Sequence, residues 1–563
     1  MNRARTARKT MAAMCLAVAA TLTVGLVAGC GGGDDSSSKA PTGFTSKPDI
    51  NPQPRDNLRD GGTLTTSIPE VTPQWNAFHV DGTAYTTVMW RWFNPILAYF
   101  SPDGTYSFNK DYLTNVETSL VNGKTRVTYT INPKAVFNDG TPIDVRAFET
   151  TWRASDGKNE AYGVSSTDGY DQIESVTPGV NDRQAVVTFR GVYAWPNGLF
   201  NLLLHPAVST PEIFNTAYIQ NPHPEWGAGP FIVDTYDKNA GTVTFKRNPK
   251  WWGKPGKLDR RIFRQLEDQA SINAFRNGEL DAEGVAAKDA LAQVKPMTNI
   301  DIRTAATPAN SLMVVNTASP ILGDVKVREA VMAGVDRATI AKIRFTGLDY
   351  SEELPGSLTI YPFQPGYSDN IAGVIDFDKA KAESLLDAAG WTKGTNGIRE
   401  KNGQPLRLTL PIISDAPTTQ NLARGFQAMM KDIGVDIAIQ QKSGADFSKI
   451  TTTRAFDVFF MGFQSSDPYG TAYMCQTWCK SSSFNLSGAG SPEQDARIKA
   501  IGTIADPKAQ IAAGNKLEKD LFAQYNYLPL FNGPNMVAVK KGLANYGAGQ
   551  FYIGPVEDIG WQK

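Results

Sequence analysis

The sequence predicts an α/β protein with more than one domain, and three observations support this prediction. The chain has 563 residues, more than a single hydrophobic core usually accommodates. Residues 406–440 read as a strand, an amphipathic helix and a second strand, an order that indicates a parallel or mixed sheet with covering helices. Residues 127–152 read as a strand, a turn and an amphipathic helix.

The segment 127–152 is the most informative part of the chain. Apolar residues alternate with threonines along its strand, and Asn138-Asp139-Gly140 then supplies residues that favour a turn. Thr141 is a suitable N-cap, because its hydroxyl can accept a hydrogen bond from the first helical turn, and Pro142 suits the first helical position. We therefore expect the helix to begin near Pro142.

The first 29 residues have the parts of a lipoprotein signal peptide. Four basic residues precede an apolar stretch at 11–27, and Val27-Ala28-Gly29-Cys30 matches a lipobox. The alternative is a transmembrane anchor, but the stretch is short of the roughly 20 residues that a spanning helix needs. We predict that residues 1–29 are removed and that lipid on Cys30 anchors the protein to the outer face of the cell membrane.

Residues 30–60 are rich in glycine, serine and proline, which predicts a flexible linker between the lipid and the folded body. No later segment is long and apolar enough to span a bilayer, so we expect a soluble body. Basic and acidic residues both number 56 in the full chain, and loss of the four basic residues in 1–29 leaves 52 against 56, a net charge of −4. This mildly acidic balance predicts no nucleic-acid partner.

Several short motifs occur in a fixed order along the body. They combine glycine turns, Asn-Pro turns and capped helices, and they are Gly61-Gly62-Thr63-Leu64, Phe137-Asn138-Asp139-Gly140-Thr141-Pro142, Gly227-Ala228-Gly229-Pro230-Phe231, Arg247-Asn248-Pro249-Lys250-Trp251-Trp252-Gly253, Gly278-Glu279-Leu280-Asp281 and Val327-Arg328-Glu329-Ala330. In this order they resemble the motifs of the bacterial extracellular solute-binding proteins of family 5, the peptide/nickel class of ABC-transporter substrate-binding lipoproteins. The resemblance covers residues 61 to about 540 and suggests an actinobacterial branch.

The resemblance implies a type II periplasmic-binding-protein-like clamshell of two α/β lobes, with a subdomain inserted into lobe one. Mapped onto this sequence, lobe one comprises residues 61–105 and 205–306, the inserted subdomain 106–204 and lobe two 307–530, and residues 531–563 return to lobe one. Ligand is expected to bind between the lobes, and closure is expected to bury it.

The resemblance also implies a function. Family members capture an oligopeptide or similar small solute and deliver it to the transmembrane permease subunits of an ABC importer, so we expect a monomeric, extracytoplasmic binding protein. An alternative remains open, in which the same fold serves as a cell-envelope assembly lipoprotein that binds a glycolipid or sugar and imports nothing.

Two loops are predicted to contact the ligand. The family places the loop after the first strand in the cleft, which here offers Trp75, Asn76 and Phe78, although each aromatic residue could equally be part of the core. The second loop offers Phe463, Gln464, Ser465, Asp467 and Tyr469. Peptide-binding members carry an aspartate shortly after the aromatic residue to pair with the α-amino group. Here Gln464 or Ser465 stands in its place, so only Asp467 could take this role.

The remaining cysteines and histidines complete these predictions. Outside the cytoplasm, Cys475 and Cys479 are expected to form a disulfide rather than a metal site or two free thiols. The three histidines, His79, His205 and His223, lack the spacing of metal ligands, although they could meet in space as a nickel site. No nucleophile motif, zinc motif or phosphate-binding loop is present, so we predict neither an enzyme nor a cofactor.

Overall fold

A computed structural model describes residues 47–563, apart from 103, 267, 414–416, 443–445, 466 and 483. The predicted signal peptide and the lipidated Cys30 lie outside the described residues. Within them, no helix combines the length and hydropathy needed to cross a bilayer.

Lobe one is built around a seven-stranded sheet whose strands come from distant parts of the chain. Its first elements are β1 (Thr63–Ile68), α1 (Ala84–Phe93) and β2 (Ala98–Phe100). Next come those of the inserted subdomain, β3 (Tyr106–Phe108), β4 (Leu113–Val121), β5 (Lys124–Ile131), α2 (Val145–Ser155), β6 (Ile173–Pro178) and β7 (Gln184–Phe189). Lobe one then resumes with α3 (Pro211–Thr216), β8 (Phe231–Asp237), β9 (Thr242–Arg247), β10 (Arg260–Gln265), α4 (Asp268–Arg276), β11 (Ala282–Gly284), α5 (Lys288–Val294) and β12 (Ile300–Ala306).

The inserted subdomain has a sheet and a core of its own. Its four antiparallel strands lie in the order β4-β5-β7-β6, and α2 packs on β6 and β7. The alternation along β5 buries Val127, Tyr129 and Ile131 on one face, against Phe148 of α2. The predicted start of α2 is wrong: the helix begins at Val145, and Asp144 is the N-cap, with its carboxylate accepting the N–H of Arg146. Thr141 instead lies in an extended turn in which its carbonyl accepts the N–H of Phe137.

Lobe two contains three smaller sheets covered by helices. Its elements are β13 (Ala309–Val315), α6 (Val325–Ala333), α7 (Arg337–Phe345), α8 (Lys379–Ala388), β14 (Thr392–Lys393), β15 (Arg399–Lys401), β16 (Gln404–Pro405), β17 (Arg407–Ile412), α9 (Pro417–Asp432), β18 (Asp436–Gln441), α10 (Phe447–Thr453), β19 (Val458–Gln464), α11 (Met474–Trp478), α12 (Pro492–Ile501), α13 (Pro507–Phe522) and β20 (Tyr527–Phe531). The predicted βαβ unit is confirmed, because β17 and β18 pair in parallel and α9 packs against both.

Two short crossings connect the lobes. Residues 306–309 lead from β12 in the large sheet to β13, which is the middle strand of the three-stranded sheet β19-β13-β20. Residues 531–534 lead back to the return segment of lobe one, which comprises β21 (Pro534–Lys540), β22 (Leu543–Ala544) and β23 (Gly560–Trp561). The large sheet then has the order β12-β21-β11-β1-β10-β9-β8, in which β1 is parallel to β10 and to β11.

The end of the predicted linker is packed rather than flexible. Ile50 and Leu58 are buried, Asp49 pairs with Ala548, and Arg55 forms an ion pair with Asp558 at 2.6 Å. Burial of two large apolar side chains holds this strip against lobe one. The described residues 49–60 therefore belong to the body, and the linker prediction for 30–60 is wrong for this part.

Candidate functional site

The loop after β19 lies where the two lobes meet. Gln464, the last residue of β19, pairs with Ala309 at the end of the first crossing. Ser465 follows, and its backbone N–H donates to the carbonyl of Pro308 in that crossing at 2.9 Å, while its hydroxyl lies 2.9 Å from that of Tyr361. Gln464 is exposed and Ser465 is partly buried. The crossing and the loop are thus hydrogen-bonded to each other.

Aromatic side chains connect this loop to lobe one and its inserted subdomain. The ring of Tyr469 lies 5.3 Å from that of Trp195 and, edge to face, 5.9 Å from that of Phe100. The indole N–H of Trp195 also donates to the side chain of Gln510 on α13. Tyr469 and Gln510 belong to lobe two, whereas Trp195 and Phe100 do not, so these contacts bring the lobes together.

Two carboxylates lie in the same region. Asp467 is 5% exposed, and it accepts hydrogen bonds from the hydroxyl of Tyr473 at 2.6 Å and from the N–H of Tyr469 at 2.9 Å. Asp168, from the subdomain, accepts from the amide of Gln476 on α11. Burial raises the pKa of the Asp168 carboxyl, and burial together with the Asp467 carboxylate raises the pKa of Tyr473 well above its ordinary value. The region therefore favours neutral or positively charged groups.

Phe463 has a different environment from the loop that follows it. It lies on β19 opposite Asn310, and its half-buried ring packs against the core of lobe two. The structure thus brings Ser465, Asp467 and Tyr469 to the contact between the lobes and leaves Phe463 at the edge of a core.

The prediction that the first loop contacts ligand is wrong for Trp75 and Asn76. Trp75 is 1% exposed and packs edge to face against Phe93 and Tyr236 in the core of lobe one. Asn76 is fully buried, and its amide donates to the carbonyl of Phe214. Phe78 is half-buried against Trp90. The core alternative for these aromatics holds, because their contacts are with other side chains of lobe one.

The turn 138–140 connects the inserted subdomain to lobe one. The side-chain amide of Asn138 donates to the carbonyl of Pro224, and its oxygen accepts from the amide of Asn248. The N–H of Asn138 donates to the carbonyl of Gly227. Three of the sequence motifs therefore meet in one buried hydrogen-bond network, whose role is structural.

Cys475 and Cys479 are joined by a disulfide across one turn of α11. Cys479 is buried, and the helix also carries Gln476, which contacts Asp168. The disulfide thus constrains the same short helix whose Gln476 contacts Asp168 of the subdomain.

The three histidines pack against aromatic side chains of lobe one. The rings of His205 and His223 both stack on that of Trp226, with centroids at 5.6 and 3.7 Å, and His79 packs near Phe214. Among the residues that the structure describes, no three histidine, cysteine or acidic side chains are grouped as metal ligands would be.

Two cavities lie away from this region. An open depression of about 580 Å³ is lined by Arg59, Lys541 and the ion pair of Lys540 with Asp281, together with Trp561. A second cavity has a volume of about 20 Å³, enough for one water molecule. Arg91 and Glu557 are among the residues that line it. Burial raises the pKa of the Glu557 carboxyl to about 8.

Glu557 makes the stability of lobe one dependent on pH. Because its folded pKa lies above the ordinary value of 4.5, the folded state holds a proton that the unfolded chain releases, so stability falls as pH rises from about 4.5 to about 8. Glu557→Gln should remove this dependence, which amounts to on the order of 2–5 kcal/mol. Thermal unfolding between pH 5 and pH 9 tests this, with the exposed Glu160→Gln as the control. Parallel profiles for parent and Glu557→Gln would contradict the assignment.

The comparison with known families agrees with this architecture. Residues 116–485 match the model described as bacterial extracellular solute-binding proteins, family 5 middle. The chain is a family 5 extracellular solute-binding protein. As such it is a type II clamshell of two α/β lobes and belongs to a class that binds solutes without converting them.

Individual relatives and solved structures are also similar to this family 5 protein. It is 36% identical to the oligopeptide-binding protein OppA of Mycobacterium tuberculosis over 518 residues, which covers 91% of this chain and 86% of the relative. It is 26% identical to the probable monoacyl phosphatidylinositol tetramannoside-binding protein LpqW of M. tuberculosis over 55% of this chain and 52% of the relative. Among solved structures, the oligopeptide-binding protein AppA of Bacillus subtilis, in complex with a nonapeptide, superimposes with a TM-score of 0.74 at 17% identity, covering 90% of this chain and 100% of that one.

Sequence reasoning missed most of the residues that meet across the lobes of this family 5 protein. Trp195, Tyr473, Asp168 and Gln476 belong to no motif, and Trp195 contacts a residue 315 positions away. The stretch 467–473 holds one carboxylate and two tyrosines, a signal that could have indicated Tyr473 but none of the other three residues.

Proposed function

We propose that this protein is the solute-capturing component of an ABC importer, and that it holds an oligopeptide or similar small solute between its lobes for delivery to the permease subunits. The observation that supports this most directly is the contact of Tyr469 with Trp195 and Phe100 from the other side of the cleft, next to the buried Asp467 that accepts the N–H of Tyr469. A carboxylate flanked by aromatic rings suits a ligand with one positive group and apolar side chains. The mycobacterial relative described as an oligopeptide-binding protein supports the same ligand class.

The same proposal assigns a role to each lobe. A solute bound between the lobes beside Trp195 and Tyr469 adds contacts to both lobes that the open state lacks, so it shifts the population toward closure by that difference in affinity. The protein acts as a monomer in this scheme, since both halves of the site come from one chain. The permease then responds to the closed form.

Attachment to the membrane completes the proposal. Lipid on Cys30 would hold the body at the outer face of the membrane, and residues 31–48 would span the distance between them. Partition of the full chain into the membrane fraction, and its release by Cys30→Ala, tests the anchor; an unchanged membrane fraction would contradict it.

Identification of the bound molecule tests the solute class. The full chain is purified from its native membrane, denatured, and the released small molecules are analysed by mass spectrometry. We expect peptides, and we expect calorimetry with the same synthetic peptides to show one site per chain. Recovery of a mannosylated lipid would favour the envelope-assembly alternative, which the aromatic residues and the relative LpqW support. A chemically altered product would contradict a binding function.

A further inference from the structure

The second crossing between the lobes is held by a carboxylate that lies outside the proposed solute site. Glu352, in the segment after α7, accepts the N–H of Asn532 through Oε1 at 2.6 Å and the N–H of Gly533 through Oε2 at 2.8 Å. The hydroxyl of Tyr350 also donates to Oε2. One side chain therefore satisfies two consecutive backbone donors of the crossing and one side-chain donor.

Asn532 extends this network to the first crossing. Its side-chain amide donates to the carbonyl of Ala309 at 2.5 Å and to the side-chain oxygen of Asn310 at 2.8 Å. Both acceptors lie at the start of β13, where the chain enters lobe two. The orientation of Asn532, which Glu352 fixes at the backbone, thus determines how the two crossings lie against each other.

Gly533 is the point at which the chain can turn. Its φ is +87°, in the left-handed region that glycine adopts without strain. The residue after it is Pro534, whose ring fixes φ and which has no N–H. Between β20 and β21, the backbone freedom of the crossing is therefore concentrated at Asn532 and Gly533, the two residues that Glu352 binds.

A cation also faces this carboxylate. Arg344 of α7 is 7% exposed, lies over the rings of Phe345 and Phe531, and interacts electrostatically with Glu352. Phe531 is the last residue of β20, so Arg344 contacts the chain directly before the crossing that Glu352 binds. A neutral side chain at position 352 would lose this attraction as well as one of the two backbone hydrogen bonds, because a glutamine amide has only one acceptor atom.

We propose that Glu352 is a positioning residue for closure: its carboxylate holds Asn532 and Gly533 in the conformation in which the lobes touch, and so sets the fraction of closed molecules before any solute binds. This inference rests on the proposed function only in that closure retains the solute. Loosening the crossing lowers the closed population and weakens the apparent affinity by the same factor, although Glu352 is not one of the residues assigned to the solute site.

Hydrogen–deuterium exchange of the full chain without solute tests this inference. In Glu352→Gln, the amides of Asn532 and Gly533 should exchange about tenfold faster than in the parent. The matched control is Glu353→Gln, which removes the same charge one residue further along from an exposed side chain. Glu352→Asp keeps both acceptor oxygens on a shorter side chain and should give an intermediate rate, and it serves if the glutamine variant does not fold.

A second set of measurements distinguishes control of lobe closure by Glu352 from purely local support of the crossing. Peptides containing Tyr469 and Trp195 should also lose protection in Glu352→Gln, and the radius of gyration from X-ray scattering should increase, whereas peptides in the core of lobe two should be unchanged. The inference would be overturned if the amides of Asn532 and Gly533 exchanged at the parental rate. It would also be overturned if they exchanged faster while the protection of peptides containing Tyr469 and Trp195 stayed unchanged. Neither measurement uses a solute, so failure of every variant and parent to bind peptides would overturn the proposed function separately.

Discussion

Gly470→Ala is expected to displace the loop after β19, through which lobe two contacts lobe one, and to reduce peptide affinity at least tenfold. A Cβ at position 470 would lie 1.6 Å from the carbonyl oxygen of Thr359 and 2.7 Å from its carbon, so backbone would be forced against backbone. Gly470 follows Tyr469 directly and begins the short helix that ends at Tyr473. Movement of the 470 segment to relieve the clash would shift Tyr469 relative to Trp195 and Tyr473 relative to Asp467.

The measurements for this variant are calorimetry with the recovered peptide and thermal unfolding. Overpacking of this kind costs about 1–3 kcal/mol, so the apparent melting temperature should fall as well. Gly191→Ala is the matched control, because it adds the same methyl group in a loop where no atom lies within 4 Å of the new Cβ. Parental affinity and stability in Gly470→Ala would show that the loop can move without consequence for the site.

Asp467→Asn is expected to remove the charge that we propose binds the solute's amino group. The carboxylate is nearly buried and already accepts two hydrogen bonds, which hold it in place. A charged hydrogen bond is about twice as strong as a neutral one, so affinity for a peptide with a free α-amino group should fall about 10–100-fold. The same peptide with an acetylated N-terminus has no charge there and should bind parent and variant with similar, weaker affinity.

This pair of peptides distinguishes recognition from support of the loop. If Asp467 only supports Tyr473, both peptides lose affinity equally, and the proposed role in binding an amino group is wrong. Asp520→Asn is the control, because Asp520 is more than half exposed and pairs with Arg497 across the surface of lobe two. Calorimetry at one pH and ionic strength is sufficient, since the comparison lies between peptides.

The parts of the fold that sequence reasoning predicted correctly are those in which local pattern and burial coincide. The alternation of Leu408 and Leu410 on β17 predicts a buried face, and the structure buries both. The cap of α2 was misplaced because Thr141 and Asp144 are both good N-caps. In the structure the carboxylate of Asp144 accepts the backbone N–H of Arg146 and also binds its guanidinium at 2.7 Å. The N-cap propensities of the two residues do not reveal that contact.

The candidate site was predicted less completely, for a physical reason. Motifs with unusual residues stand out in a sequence, but several of them here, such as Asn138 and Asn248, form a buried network that joins the subdomain to lobe one. Trp75 stood out in the same way and belongs to the core. The contacts between the lobes involve ordinary residues far apart in the chain, such as Asp168 and Gln476, and only the fold brings them together.

The position of β21 within the large sheet has a consequence for biosynthesis. This strand lies between β12 and β11 and pairs with both, although it is made about 240 residues after them. Until residue 540 has left the ribosome or the secretion pore, β11 has an open edge and β12 has no partner in that sheet, and such unpaired edges promote aggregation. The first half of the newly made protein therefore depends on the last tenth, and chaperones that shield strand edges would be needed most just before synthesis ends.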